Sequence, residues 1–181
     1  MRRLSHVLRG LSTYAPGMNV LVIRHAVAED KKLLEDDAAR RLTSAGERKF
    51  KGVARGLKRL GWKLDRIYTS PWLRAHRTAE LLAPLGGGIP MATDLLTQSP
   101  RAELLALISE YAGGAEKYHA VAIVGHEPWL GELIAWLAFG DGRHGEGLVL
   151  KKGGACWLEG SATPGGMSLR AQLPPSVLRA V

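Results

Sequence analysis

Three short stretches carry residue types that could do chemistry on a phosphoryl group: Arg24-His25, Arg74 and Gly125-His126. Neutral imidazole is a good nucleophile toward phosphorus, and a guanidinium presents forked donors that match phosphate oxygens two at a time. Beside His25, the Arg24 charge opposes protonation of the ring and keeps its lone pair available near neutral pH. Arg24 and Arg74 together would offset the charge of a transferring phosphoryl group, and His126 could donate a hydrogen bond to one of its equatorial oxygens. Lysine would serve less well. The His25 ring must also be held, which calls for one nitrogen hydrogen-bonded to backbone. Each stretch alone is weak, since an Arg-His pair after a strand is often incidental and a Gly-His equally reads as a turn before a core histidine. By spacing alone both readings stay open.

The elements around these residues decide whether they can meet. Residues 18–23 (MNVLVI) form a short, continuous, β-branched run, as for a strand buried on both faces of a parallel sheet, and it ends at Arg24-His25. Ser44 and Glu47 have capping-box spacing and open a helix on which Phe50, Val53, Ala54, Leu57 and Leu60 share one side. Residues 64–69 (LDRIYT) predict a second strand, and Ser70-Pro71 a cap for a helix over residues 72–83 that carries Arg74. An edge strand is expected at 89–92 and a helix over 101–111. Residues 120–124 (AVAIV) repeat the buried-strand pattern and end at Gly125-His126, after which Pro128 opens an apolar helix. Strands are expected near 148–151, 155–158 and 168–172. Strands alternating with helices predict an α/β fold, a three-layer α/β/α sandwich around a mostly parallel sheet. In such sheets the crevice outside the carboxyl ends of the strands binds ligands, and all three reactive stretches sit at such ends.

Composition excludes much else. The 181 residues suit one domain, 46% are hydrophobic, and mean hydropathy is −0.05, as in a soluble globular chain. No apolar run is long enough to span a bilayer. The lone Cys156 rules out an internal disulfide and suits a reducing compartment, so a cytoplasmic protein is expected. Residues 1–17 are basic and acid-free, end in Pro-Gly before Met18, and are set aside as a disordered extension from a single domain over 18–181. Most of the net charge of +8 lies between Glu47 and Arg66, where periodicity puts the bases on the outward side of the helix, which weakens a nucleic-acid reading. Asp36-Asp37 reads as solvated loop, and Lys151 and Lys152 could edge the pocket. No HExxH or paired metal-ligand spacing occurs, and phosphate-loop, GxGxxG and GxSxG motifs are absent.

The stretches LVIRHAVA, LTSAGERK, YTSPWLRAHRTAELL and IVGHEPWLGELI together resemble the histidine phosphatase superfamily, specifically its small SixA-like phosphohistidine phosphatase branch. The resemblance runs in order and spacing from Met18 to the C-terminus. It implies a phosphoglycerate-mutase-like fold, no cofactor or metal, and His25 as the nucleophile that becomes phosphorylated, with Arg24, Arg74 and His126 completing the phosphate pocket. The substrate it implies is a phosphohistidine-bearing signalling protein, met by a monomer without nucleic acid or membrane. The alternative is a small phosphate ester, a sugar phosphate or nucleotide, handled by the same mechanism. This sequence departs from the pattern in two places: Ala26 stands where the family has glycine, and Arg77 where it has glutamine, three residues after Arg74 and so close to it on the helix. The general acid of the mutase and acid-phosphatase branches has no clear match; Asp94 is nearest by order along the chain and equally reads as a polar loop residue. A missing acid matters least when the leaving group is itself an imidazole.

Overall fold

The computed structural model describes residues 17–31, 36–110 and 120–181. Residues 1–16 of the expected extension, and Tyr111 at the end of an expected helix, lie outside them. Strands β1 (Met18–Arg24), β2 (Arg66–Thr69), β3 (Met91–Ala92), β4 (Ala120–Gly125), β5 (Ala155–Gly160) and β6 (Met167–Leu173) build one sheet in the order β3-β2-β4-β1-β5-β6. The first four in that order run parallel, and β5 and β6 add antiparallel. Helices α1 (Ser44–Arg59), α2 (Leu73–Glu80), α3 (Ala102–Glu110), α4 (Trp129–Phe139) and α5 (Pro175–Ala180) cover it.

Period-two alternation sorts the core into two layers. Leu21 and Ile23 of β1, with Ala122 and Val124 of β4, face α1, α2 and α5 through Phe50, Val53, Leu57, Ala75, Ala79 and Leu178. Val20 and Val22, with Val121 and Ile123, face α3 and α4 through Leu104, Ile108, Leu130, Leu133 and Leu137. The expected three-layer α/β/α sandwich is therefore observed. Both central strands are buried along nearly their whole length, which is why they read as unbroken apolar runs.

Local details differ from the sequence expectation. The cap of α1 is Thr43, whose hydroxyl accepts from the Gly46 N–H at 2.9 Å, and Leu60 is half exposed just past the helix end. Helix α2 is shorter than expected and begins after Trp72, so Ser70-Pro71 precedes it as a turn. Residues 148–151 form no strand. The peptide groups of Leu150 are taken by side chains instead: its carbonyl accepts from Arg24 Nη1 at 2.7 Å and its N–H donates to Glu127 Oε1 at 2.7 Å. Helix α5 was not anticipated. It presses onto α1 where a Cβ on Gly56 would overlap the Leu178 carbonyl, so only glycine permits the approach.

Candidate active site

The carboxyl ends of β1 and β4 lie side by side, with Arg24 opposite Gly125 and the His25 N–H donating to the Gly125 carbonyl at 3.1 Å. That register carries His25 and His126 off adjacent strands together, their ring centroids 5.1 Å apart. Both are almost fully buried, at 5% and 3% exposure. Between β5 and the site, Gly153 adopts φ +78 and turns its N–H onto the carbonyls of both Arg24 and His25, each at 3.1 Å, fixing the strand end.

Backbone holds the His25 ring as anticipated. Its Nδ1 lies 2.7 Å from the Ala26 carbonyl, which can only accept, so Nδ1 carries the proton and Nε2 the lone pair. The Ala26 peptide is pinned in turn: its N–H donates at 3.0 Å to the hydroxyl of Thr78, which donates at 2.6 Å to the Arg74 carbonyl. From α2, Arg74 points Nε at His25 Nε2, 3.3 Å away, while its guanidinium lies 4.6 Å from the Trp72 ring centroid. The nucleophilic lone pair and the forked cation thus meet in one place. Burial is the largest influence lowering the His25 pKa, to about 4, with the Arg74, Arg24 and Lys152 charges adding to it against the Ala26 hydrogen bond. The ring is neutral at physiological pH.

His126 places Nε2 2.9 Å from the Ser70 hydroxyl and stacks at a tilt 4.4 Å from Trp72. Burial, then the neighbouring His25 and Arg74, push its pKa down to about 3. Among the described residues its Nδ1 is buried without a hydrogen-bond partner, and so is Nε of Arg24. A buried polar atom left unmatched costs about 1–3 kcal/mol, so two in one cluster mark a place built to be completed by an incoming polar group.

Arg24, His25, Arg74 and His126 are therefore brought together. Asp94 is exposed and opens a 3-10 turn (Asp94–Leu96) beyond β3, and among the described residues no side-chain hydrogen bond or ion pair joins it to those four. Arg77 follows Arg74 by three residues on α2, but its guanidinium is engaged by Glu47 and Glu80 at 2.8 Å each. Four contributors were not anticipated. Ser70 read only as a cap; Thr78 carried a readable signal, a hydroxyl four residues after Arg74; Glu127 stood unremarked beside His126. Its buried carboxylate accepts from the amides of Gly131 and Leu150, and burial raises its pKa against those bonds and the Arg24 charge. The fourth is Asp37, which is no solvated loop residue. Its carboxylate accepts from Arg74 Nη2 at 2.7 Å and Arg40 Nε at 2.8 Å, and its carbonyl accepts from Arg74 Nη1. Burial would raise the Asp37 pKa, but the two guanidinium groups outweigh it and hold the carboxyl below its usual range. Among the described residues no group of three or more His, Cys, Asp or Glu is placed to hold a metal ion, and no helix is long and apolar enough to cross a membrane.

The sequence model of the histidine phosphatase superfamily (branch 1) matches residues 2–95, a span that includes Arg24, His25 and Arg74. The chain belongs to the histidine phosphatase superfamily. It is a phosphatase of that superfamily, and an uncharacterized protein of Picosynechococcus sp. (strain ATCC 27264 / PCC 7002 / PR-6) is 37% identical to it over 150 residues, 80% of this chain and 87% of the relative. Among solved structures, the protein histidine phosphatase SixA complexed with tungstate is similar in fold, with a TM-score of 0.70 at 24% identity, covering 88% of this chain and 98% of SixA. So are the alpha-ribazole phosphatase of Shigella flexneri (TM-score 0.68, 18% identity, 87% and 97% covered) and a mycobacterial glucosyl-3-phosphoglycerate phosphatase (0.64, 16%, 88% and 99%). This superfamily fold thus carries both phosphohistidine and ester phosphatases.

Proposed function

We propose that this protein removes phosphoryl groups from protein phosphohistidine through a covalent phospho-His25 intermediate. The observation that carries the reading is the His25 ring, with Nδ1–H tied to the Ala26 carbonyl and an unprotonated Nε2 facing Arg74. In the first step the Nε2 lone pair attacks phosphorus, the substrate N–P bond breaks, and its electron pair stays on the departing imidazole, which takes a proton from solvent water. In the second, water attacks phosphorus, the new N–P bond breaks, Nε2 recovers its lone pair and inorganic phosphate leaves. Arg24 and Arg74 offset the charge on the equatorial oxygens, and the open Arg24 Nε and His126 Nδ1 are the atoms available to bind them.

The carboxyl groups around the site favour an imidazole leaving group over an alkoxide. Asp37 is held ionised by two guanidinium groups, Glu127 has its oxygens on backbone amides, and Asp94 is exposed to solvent. Asp37 and Glu127 are thus engaged as acceptors within the fold. General-acid catalysis is worth about 10²–10⁴-fold, and exchange of one N–P bond for another depends on it least. The reading is tested by comparing kcat/KM on a histidine-phosphorylated protein with that on phosphoserine, glucose 6-phosphate and a nucleoside monophosphate. At least about a hundredfold preference for the phosphohistidine protein is expected. Parity, or preference for an ester, would overturn the substrate assignment and favour the small-ester alternative.

A further inference from the structure

Beside His25 lies a basic surface that, among the described residues, ion pairing leaves largely unused. Residues 48–63 contain seven lysines and arginines and no acid, and neither residues 147–158 nor residues 160–181 contain an acid. The fold brings these three acid-free stretches together. A depression of about 180 Å³ is lined by Ala26 and Val27, directly after the candidate nucleophile, and by Lys49, Lys152 and Arg179. The Lys152 charge is close enough to depress protonation of His25.

Along α1 the positive strip continues. A Cβ on Gly52 would lie 3.1 Å from Arg179 Cγ and 3.8 Å from Arg55 Nη2, so two guanidinium-bearing side chains flank the same gap. Arg59, one turn further, donates to the Val181 carbonyl at 3.1 Å. From Lys49 to Arg59 the helix rises about 15 Å. Among the described residues no ion pair joins Lys49, Arg55, Lys152 or Arg179 to an acid, whereas on the opposite side of α1 Glu47 pairs with Arg77. Like charges held this close repel one another, and the repulsion is relieved by an acidic surface laid against them.

We infer that the face formed by Lys49, Arg55 and Arg179 beside the His25 pocket docks an acidic protein surface. The inference rests on the phosphohistidine reading above, and it names the partner as the acidic protein that carries the phosphoryl group. A small phosphate ester filling the buried pocket could not extend along three helical turns. A protein could, and its acidic side chains would be drawn to the same mouth through which its phosphoryl group enters.

The test uses the full chain with Lys49→Glu, Arg55→Glu and Arg179→Glu combined, and Arg55→Glu alone, all at exposed positions. Lys152 is left intact because it abuts the pocket. Turnover is measured on an acidic protein phosphorylated on histidine and on free phosphohistidine, at 50 mM and 500 mM NaCl. At low salt the triple variant is expected to raise KM on the protein about tenfold or more, with kcat and free phosphohistidine turnover within twofold of wild type, and high salt is expected to erase the difference. An unchanged KM on the protein, or charge-dependent binding of single-stranded RNA or anionic phospholipid vesicles instead, would overturn the docking surface and leave the substrate reading standing. Wild-type protein that hydrolyses sugar phosphates but no phosphohistidine would overturn both.

Discussion

The two ends of the same strands have opposite character. At the amino ends of β1 and β4, Trp157 Nε1 donates to Asn19 Oδ1 at 2.7 Å, Asp65 accepts from the Ala120 N–H at 2.9 Å, and Trp62 meets Trp157 edge-on at 5.6 Å. Apolar side chains line most of the depression there, about 460 Å³. At the carboxyl ends, two imidazoles and two arginines are drawn in from solvent, and among the described residues Arg24 Nε and His126 Nδ1 find no partner. Folding gains nothing from such atoms, so one end is arranged for stability and the other for an anionic ligand.

The sharpest contrast comes from one substitution at each end. His25→Ala should lower turnover of any phosphorylated substrate by about 10⁴-fold or more while leaving the fold intact. Trp157→Ala should do the reverse, costing about 2–3 kcal/mol and roughly 5–10 °C in Tm while kcat on free phosphohistidine stays near wild type. Thermal melts and steady-state kinetics on both variants check this. Loss of activity in both would erase the distinction.

A smaller effect is expected at Asp37. Asp37→Asn keeps the backbone acceptor for Arg74 but removes the anionic partner of Arg74 Nη2 and Arg40 Nε, and kcat should fall about tenfold, as for loss of a charge-assisted contact. The conservative Asp37→Glu should recover part of the loss if its carboxylate acts by orienting Arg74. Equal loss in both variants with a lowered Tm would point to a merely structural role.

The two ends should also separate in pH. In the unfolded chain His25 and His126 take up protons near the ordinary histidine value of about 6.5, but in the fold only near about 4 and about 3. The unfolded state therefore binds more protons between those limits, and stability should fall as pH drops from 6.5 toward 4. Urea midpoints at pH 7 and 4.5 should show a smaller drop for His126→Phe than for wild type. The smallest effect belongs to Arg77→Ala, whose ion pairs are largely solvent-exposed: under about 1 kcal/mol in stability and no change in kcat.

Much of this was legible in the residues. The runs MNVLVI and AVAIV announce two buried parallel strands, and because such strands end at a binding crevice, Arg24, His25 and His126 could be placed together before any coordinates. Arg74 followed from the second strand and helix. What could not be read was side-chain reach across the loop: Asp37 meets Arg74 because the 3-10 turn Asp37–Ala39 packs against α2, and no periodicity encodes that. Nor does helix spacing tell which acids a neighbouring side chain meets: Arg77 is engaged by Glu47, which comes from α1, and by Glu80. Thr43 displaced Ser44 as cap because both have capping chemistry one residue apart, and only the Gly46 N–H distinguishes them.

The central claim is that His25 accepts the phosphoryl group on the nitrogen facing Arg74. It is tested most directly by phosphorus and nitrogen NMR of the wild-type protein trapped under acid-free conditions during turnover. A single phosphohistidine bonded through Nε2 of His25, absent from His25→Ala, is predicted. Phosphate on Nδ1, phosphate on His126, or turnover with no phosphorylated histidine would contradict the account.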